Sequence, residues 1–163
     1  MMTVAMLLRR NPVFARLGDE DIARLDDAFR IAEYPDAHAF IREGASGSAA
    51  VYIVVSGEVR VTRRGVEINR LPPGSLFGLA SLVDEKPRSA SCAAAGTCKV
   101  ARLSKAATEE LFHDAAPIAL AFQRAVAKQL AKDFRHLNDV LRAQLGNVGS
   151  AIVPNHSQGV PSK

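Results

Sequence analysis

A chain of 163 residues, 48% hydrophobic and 23% charged, carries enough apolar mass for one domain with a core and falls short of two ordinary domains joined by a linker. Its 21 Lys and Arg against 17 Asp and Glu leave a formal charge of +4, spread along the chain without a basic block, which favours a solvated mixed-charge surface over a nucleic-acid face. Two cysteines, Cys92 and Cys98, and four scattered histidines, His38, His113, His136 and His156, show no zinc spacing, so neither a metal site nor a cofactor is expected.

Residues 1–8 are apolar, but Arg9-Arg10 follow the stretch instead of preceding it, and it is too short to cross a bilayer. No leader and no membrane span are expected, and the reading is a cytoplasmic protein with reduced thiols. Residues 11–30 read as N-terminal helices. Gly18-Asp19-Glu20-Asp21 supplies a start with acids in the first turn, and Ile22, Leu25, Ala28 and Phe29 recur three and four apart. Pro12, Val13, Phe14 and Leu17 suggest a short docked turn or helix before that start.

From 31 to 103 the period changes to two. Ala49 to Val55 is a buried strand candidate closed by Ser56-Gly57, and Glu58 to Arg63 alternates polar and apolar before a turn at Arg64-Gly65. Val66 to Leu71 alternates again until Pro72-Pro73-Gly74 breaks it, and two further short strands, Ser89 to Ala95 and Thr97 to Leu103, flank Gly96. Short strands at this spacing predict a mainly β fold, an antiparallel jelly roll with an N-terminal helix and a long C-terminal helix. Helical period returns over 105–145: Ser104 caps one helix, and Ala115-Ala116-Pro117 opens a longer one expected to stop at Gly146-Asn147. Residues 146–163, with Gly149, Pro154, Gly159 and Pro161, read as a disordered tail, leaving residues 1–145 as the domain.

The stretch Phe77-Gly78-Leu79-Ala80-Ser81-Leu82, followed by Pro87-Arg88-Ser89-Ala90-Ser91, reads as a phosphate cradle. A glycine and a run of small residues let backbone N–H groups approach one anion, and Arg88 is spaced to return to the same point. The plain alternative for Arg88 is a surface arginine paired with Asp84 or Glu85.

These sections resemble the cyclic nucleotide-binding domain of the catabolite activator protein, the regulatory subunit of protein kinase A and related sensors. The resemblance is carried by Ile41-Arg42-Glu43-Gly44, Gly47, Val51-Tyr52-Ile53-Val54, Ser56-Gly57-Glu58-Val59, Gly74, Phe77-Gly78, Pro87 to Ser91 and Cys98 to Leu103, within a span from Pro12 to Leu145. It implies that the backbone at Gly78, Ala80 and Ser81, the Arg88 guanidinium and the Ser89 hydroxyl or amide hold a cyclic phosphate, with cAMP or cGMP as ligand. It also implies a glutamate after Gly78 to accept the ribose 2′-hydroxyl, where this chain has Leu79. A base lid from the long helix falls at Asp133 and Phe134; Asp133 can accept from an amino group and Phe134 can stack, while Phe134 also continues an apolar seam.

That seam, Ala127, Leu130, Phe134, Leu137 and Leu141, recurs at three- and four-residue intervals, and the expected arrangement is a parallel homodimer about the helix, as in the family's transcription factors. The leading function is therefore a cyclic-nucleotide-binding regulatory module. The alternative is a degenerate form of the same fold that docks a protein partner or dimerises without nucleotide. No winged helix is expected after Leu145, which argues against a DNA-binding regulator. No enzyme is expected either, because no Ser/His/Asp, Cys/His or paired-carboxylate set can be placed on one surface, and His113-Asp114 reads as a helix end.

Overall fold

Thr3 accepts a hydrogen bond from the Met6 N–H through its hydroxyl and opens the first helix, α1 (Val4–Arg10), in a computed structural model that describes residues 2–46, 49–83 and 86–151. The apolar opening thus forms a helix that begins before residue 11, and its Val4, Leu7 and Leu8 turn one stripe into the core. Residues 11–17 form turns that bury Phe14. The next helix, α2 (Asp19–Ala28), starts after Gly18 with three acids in its first turn. Arg9 pairs with Asp19, and the Ala5 N–H donates to Asp26 Oδ1 at 2.9 Å, fixing α1 on α2.

Among the described residues six strands follow: β1 (Arg30–Tyr34), β2 (Ala39–Ile41), β3 (Ala50–Arg63), β4 (Val66–Leu71), β5 (Leu76–Phe77) and β6 (Ser91–Ser104). Every pairing is antiparallel, in the order β1-β6-β3-β4 with β2 on β6 and β5 on β3, which is the β roll with flanking helices that the sequence predicts. The spine is the β3–β6 ladder, running from Ala50 opposite Ser104 to Thr62 opposite Ser91. The sequence divides each of these long strands in two, whereas both are continuous. Gly57 marks the irregularity in β3 without ending it: at φ 78° a Cβ there would lie 2.7 Å from both Cys98 Cβ and Thr97 O, so glycine lets the ladder close across a bulge.

Over residues 50–55 both faces of β3 are buried, which is why Val51 to Val55 reads as an unbroken apolar run. Val51, Ile53 and Val55 join Ala101 and Leu103 of β6 in a helix-side core with Leu8, Phe14, Leu25, Ile118 and Phe122. Ala50, Tyr52, Val54 and Val59 face the inside of the roll, with Phe77, Cys92, Cys98 and Val100.

Ser104 caps α3 (Lys105–Asp114), its hydroxyl accepting from the Ala107 N–H at 3.2 Å, as its position predicts. The last helix, α4 (Ala116–Ala151), runs through Gly146-Asn147 to Ala151, past the stop expected at residue 145. Glycine and asparagine weaken a helix without removing a backbone donor, so they permit what a proline would forbid. The rest of the expected tail, 152–163, lies outside the described residues, as do Gly47, Asp84 and Glu85. The chain divides into two compact units, one ending at Val126 and the other beginning at Ala127.

Candidate functional site

The inside of the roll is where a site is built. Tyr52 and Phe77 stack with ring centroids 4.8 Å apart and planes 12° from parallel, and Phe40 meets Phe77 edge-on at 5.7 Å. This packing, with the Tyr52–Phe77 and Ile53–Leu76 pairs of the β3–β5 ladder, presses the next residue, Gly78, against the start of β3. Gly78 has φ 82°, and a Cβ there would lie 2.4 Å from the Ala50 carbonyl oxygen and 3.3 Å from Tyr52 Cδ2. Only glycine fits both the left-handed backbone and the close approach. A short 3-10 helix, Leu79–Leu82, starts at once, and the first N–H groups of such a helix have no acceptor inside it.

Arg88 returns to this loop. Its Nη1 donates to the Gly78 carbonyl oxygen at 3.3 Å. Its own backbone is held from both sides, the Arg88 N–H donating to Ala45 O at 3.0 Å and the Gly44 N–H to Arg88 O at 2.8 Å. Cys92, opposite Ile41 on β2 and Val61 on β3, lies close enough to feel this cation. Burial pushes the Cys92 thiol up to about 11, and the Arg88 charge offsets part of that rise. Burial also raises the Cys98 thiol. Both thiols are free and buried, so they pack as small apolar groups. Among the described residues no cluster of three His, Cys, Asp or Glu could hold a metal ion, and no helix is long and apolar enough to cross a membrane.

A family model described as cyclic nucleotide-binding domain matches residues 31–115, more than half of the chain and all of the segment that forms the roll except Arg30 at the start of β1. The chain belongs to the cyclic nucleotide-binding domain family. A cAMP-dependent protein kinase regulatory subunit of Mycosarcoma maydis is 38% identical over 96 residues, 56% of this chain and 18% of that subunit. The chain thus spans under a fifth of that curated relative, and 24% of the corresponding subunit of Aspergillus fumigatus. Among solved structures, the N-terminal domain of a transcriptional regulator from Streptomyces coelicolor superposes with TM-score 0.66 at 31% identity, covering 78% of this chain and 94% of that one. The Thermus thermophilus catabolite activator protein superposes with TM-score 0.69 at 29% identity, covering 80% and 63%.

Within this family fold the residues expected at the site separate into groups. Gly78 and Arg88 come together directly. Ala80 and Ser89 are exposed beside them in sequence, and Ser81 belongs to the 3-10 helix. Leu79 is placed differently from its neighbours Ala80 and Ser89. Its side chain is only 7% exposed and packs in the helix-side core with Val51, Ile53 and Leu103, not in the inner group of Cys92 and Tyr52. An isobutyl group gains about 2 kcal/mol on burial, and the turn at Gly78 delivers it to that core. The Leu79 side chain is thus a member of the apolar core. Asp133 and Phe134 lie in the second unit, where Asp133 Oδ1 accepts from Gln129 Nε2 at 2.9 Å and Phe134 is exposed.

Two residues at the site carry more than the sequence reading assigns them. Glu43 donates its N–H to the Ser91 hydroxyl oxygen at 2.8 Å, and its Oε2 accepts from the Arg64 N–H at 2.7 Å. In the sequence both sit inside quoted motifs, with no periodicity to mark them. The available signal is an acid beside a turn glycine and a serine three residues after the arginine.

Proposed function

We propose that this chain is a regulatory module that binds a cyclic nucleotide, cAMP before cGMP, through the Gly78 loop and Arg88. The observation that carries the reading is the meeting of the Arg88 guanidinium with the Gly78 carbonyl at 3.3 Å, on a loop that begins a 3-10 helix. A guanidinium there offers the planar, charged pair of donors that matches two phosphate oxygens. The amides after Gly78, including those of Ala80 and Ser81, and the hydroxyl or amide of Ser89 supply further donors. The cAMP-dependent protein kinase regulatory subunits to which the chain is similar support cAMP as the ligand. Because Leu79 faces the core, the ribose hydroxyl has to find its acceptor elsewhere in the pocket or go without.

Calorimetric titration with cAMP and cGMP on the wild type and on Arg88→Ala tests this. Saturable binding to the wild type with at least a hundredfold loss in the variant is expected, about 3 kcal/mol of charged hydrogen bonding. No heat from the wild type at millimolar ligand rejects the sensor and leaves the docking module.

The second unit favours a further element of this reading. Leu130 is 61% exposed and Phe134 65%, on the stripe that Ala127, Leu137 and Leu141 share in sequence. Large apolar side chains repeating along one helix face suit a matching helix, and a second copy of this chain is the partner we propose. Sedimentation of the full chain is expected to give a dimer that Leu130→Glu with Phe134→Glu converts to monomer. A wild-type monomer, or a dimer indifferent to both charges, contradicts it.

A further inference from the structure

The turn at residues 42–45 and the strap at residues 88–91 are joined by three hydrogen bonds. Two run between backbones, from the Gly44 N–H to Arg88 O and from the Arg88 N–H to Ala45 O, and the third runs from the Glu43 N–H to the Ser91 hydroxyl oxygen. The strap that carries the guanidinium is thus fixed no better than the turn beneath it. Inside that turn the Ala45 N–H donates to Arg42 O at 3.1 Å. Its reach outward is the Glu43 side chain, whose Oε2 accepts from the Arg64 N–H. Arg64 is the tip of the β3–β4 hairpin and stands at φ 51°, a left-handed conformation that a residue with a Cβ adopts reluctantly. A carboxylate on its N–H makes a charge-assisted bond of the kind that holds such a turn.

We propose that Glu43 is a positioning residue for the anion site: it ties the Arg88 strap to the tip of the β3–β4 hairpin, so that the two move as one body when an anion is taken. This rests on the proposed reading of Arg88 as the phosphate ligand. The geometry favours a tie over a decorative surface bond. One residue uses its backbone donor on the strap and its side-chain acceptor on the hairpin, 48 and 21 positions away in sequence. Hairpin and strap are also neighbours in the sheet, since Thr62 of β3 pairs with Ser91 and Val61 with Cys92. Loosening the hairpin tip therefore loosens the ground under the guanidinium. Glutamine keeps an acceptor oxygen at the same reach, whereas alanine removes it.

Amide hydrogen exchange on the ligand-free protein tests the tie, and cAMP titration tests its use. In Glu43→Ala the Arg64 and Arg88 amides are expected to exchange faster together, each by about tenfold, while Glu43→Gln leaves both near wild type. Acceleration confined to Arg64 overturns the tie. Glu43→Ala is expected to bind cAMP about fivefold more weakly at nearly unchanged Tm, with Glu43→Gln restoring affinity to within about twofold. Equal cAMP affinity in wild type and Glu43→Ala, or a loss that Glu43→Gln shares, overturns the positioning role. If the wild type binds no cAMP, the phosphate reading of Arg88 falls and takes the positioning role with it, while the exchange data still decide whether the tie exists.

Discussion

The two faces of β3 are built for different work. On the helix side Val51, Ile53 and Val55 meet aliphatic and aromatic side chains from four helices and take in Leu79 from the loop; the described members of this core are all apolar. On the inner side Tyr52 and Val54 meet a smaller group of aromatics and cysteines, and this group comes within the field of Arg88. The contrast teaches that one loop serves both: Gly78 packs on β3 and receives the arginine, while the residue after it is spent on the opposite core. On the proposed reading of the Gly78 loop, stability and binding are separated by a single step along the chain.

The sharpest way to break that separation is Leu79→Glu. If Leu79 lies in the helix-side core, the variant loses buried packing and places a carboxyl among aliphatic groups, at a cost of about 4 kcal/mol, with no gain in nucleotide affinity. Urea denaturation beside a cAMP titration reads both. An unchanged midpoint with tighter binding places the side chain in the pocket and reverses our assignment. Gly78→Ala acts at the junction. Its Cβ meets the Ala50 carbonyl in a left-handed conformation, so about 3 kcal/mol of stability and the ligand affinity are expected to go together. Loss of one without the other would show that the loop can shift away from β3.

The inner face has its own signature in pH. The Cys92 thiol is raised from 9.0 to about 11, so between those values the unfolded chain gives up a proton that the folded one keeps. The stabilising contribution is complete below pH 9, declines by about 1.4 kcal/mol per pH unit above it, and amounts to a loss of about 2 kcal/mol by pH 10.5. Denaturation curves at pH 8 and pH 10.5 should show this fall in the wild type and a smaller one in Cys92→Ala, the remainder including Cys98. A fall of equal size in both would mean that Cys92 is not buried as described.

Much of this fold is written in local pattern. The unbroken apolar run from Val51 to Val55, the Ser104 cap and the acids after Gly18 each have a nearby physical cause, and each appears where the sequence puts it. The helix at Val4–Arg10 is hidden because seven residues, apolar only as far as Leu8, make too few turns for a period to stand out. At the candidate site, the meeting of Gly78 and Arg88 was legible because a close approach demands glycine and the spacing returns the arginine to the same loop. The direction of the Leu79 side chain was not, because a left-handed glycine redirects the chain and spacing alone does not say which core receives the next residue. The bonds of Glu43 are not legible for a related reason: its two partners, Ser91 and Arg64, are brought to it by the sheet register.

The central claim, that Arg88 and the Gly78 loop hold the phosphate of a cyclic nucleotide, is tested most directly by the phosphorus resonance of cAMP during titration with the wild type and with Arg88→Ala. A displaced resonance that saturates with the wild type and stays at the free position with the variant is the predicted result. Wild-type binding with an unmoved phosphorus signal, or the same displacement in Arg88→Ala, would contradict it.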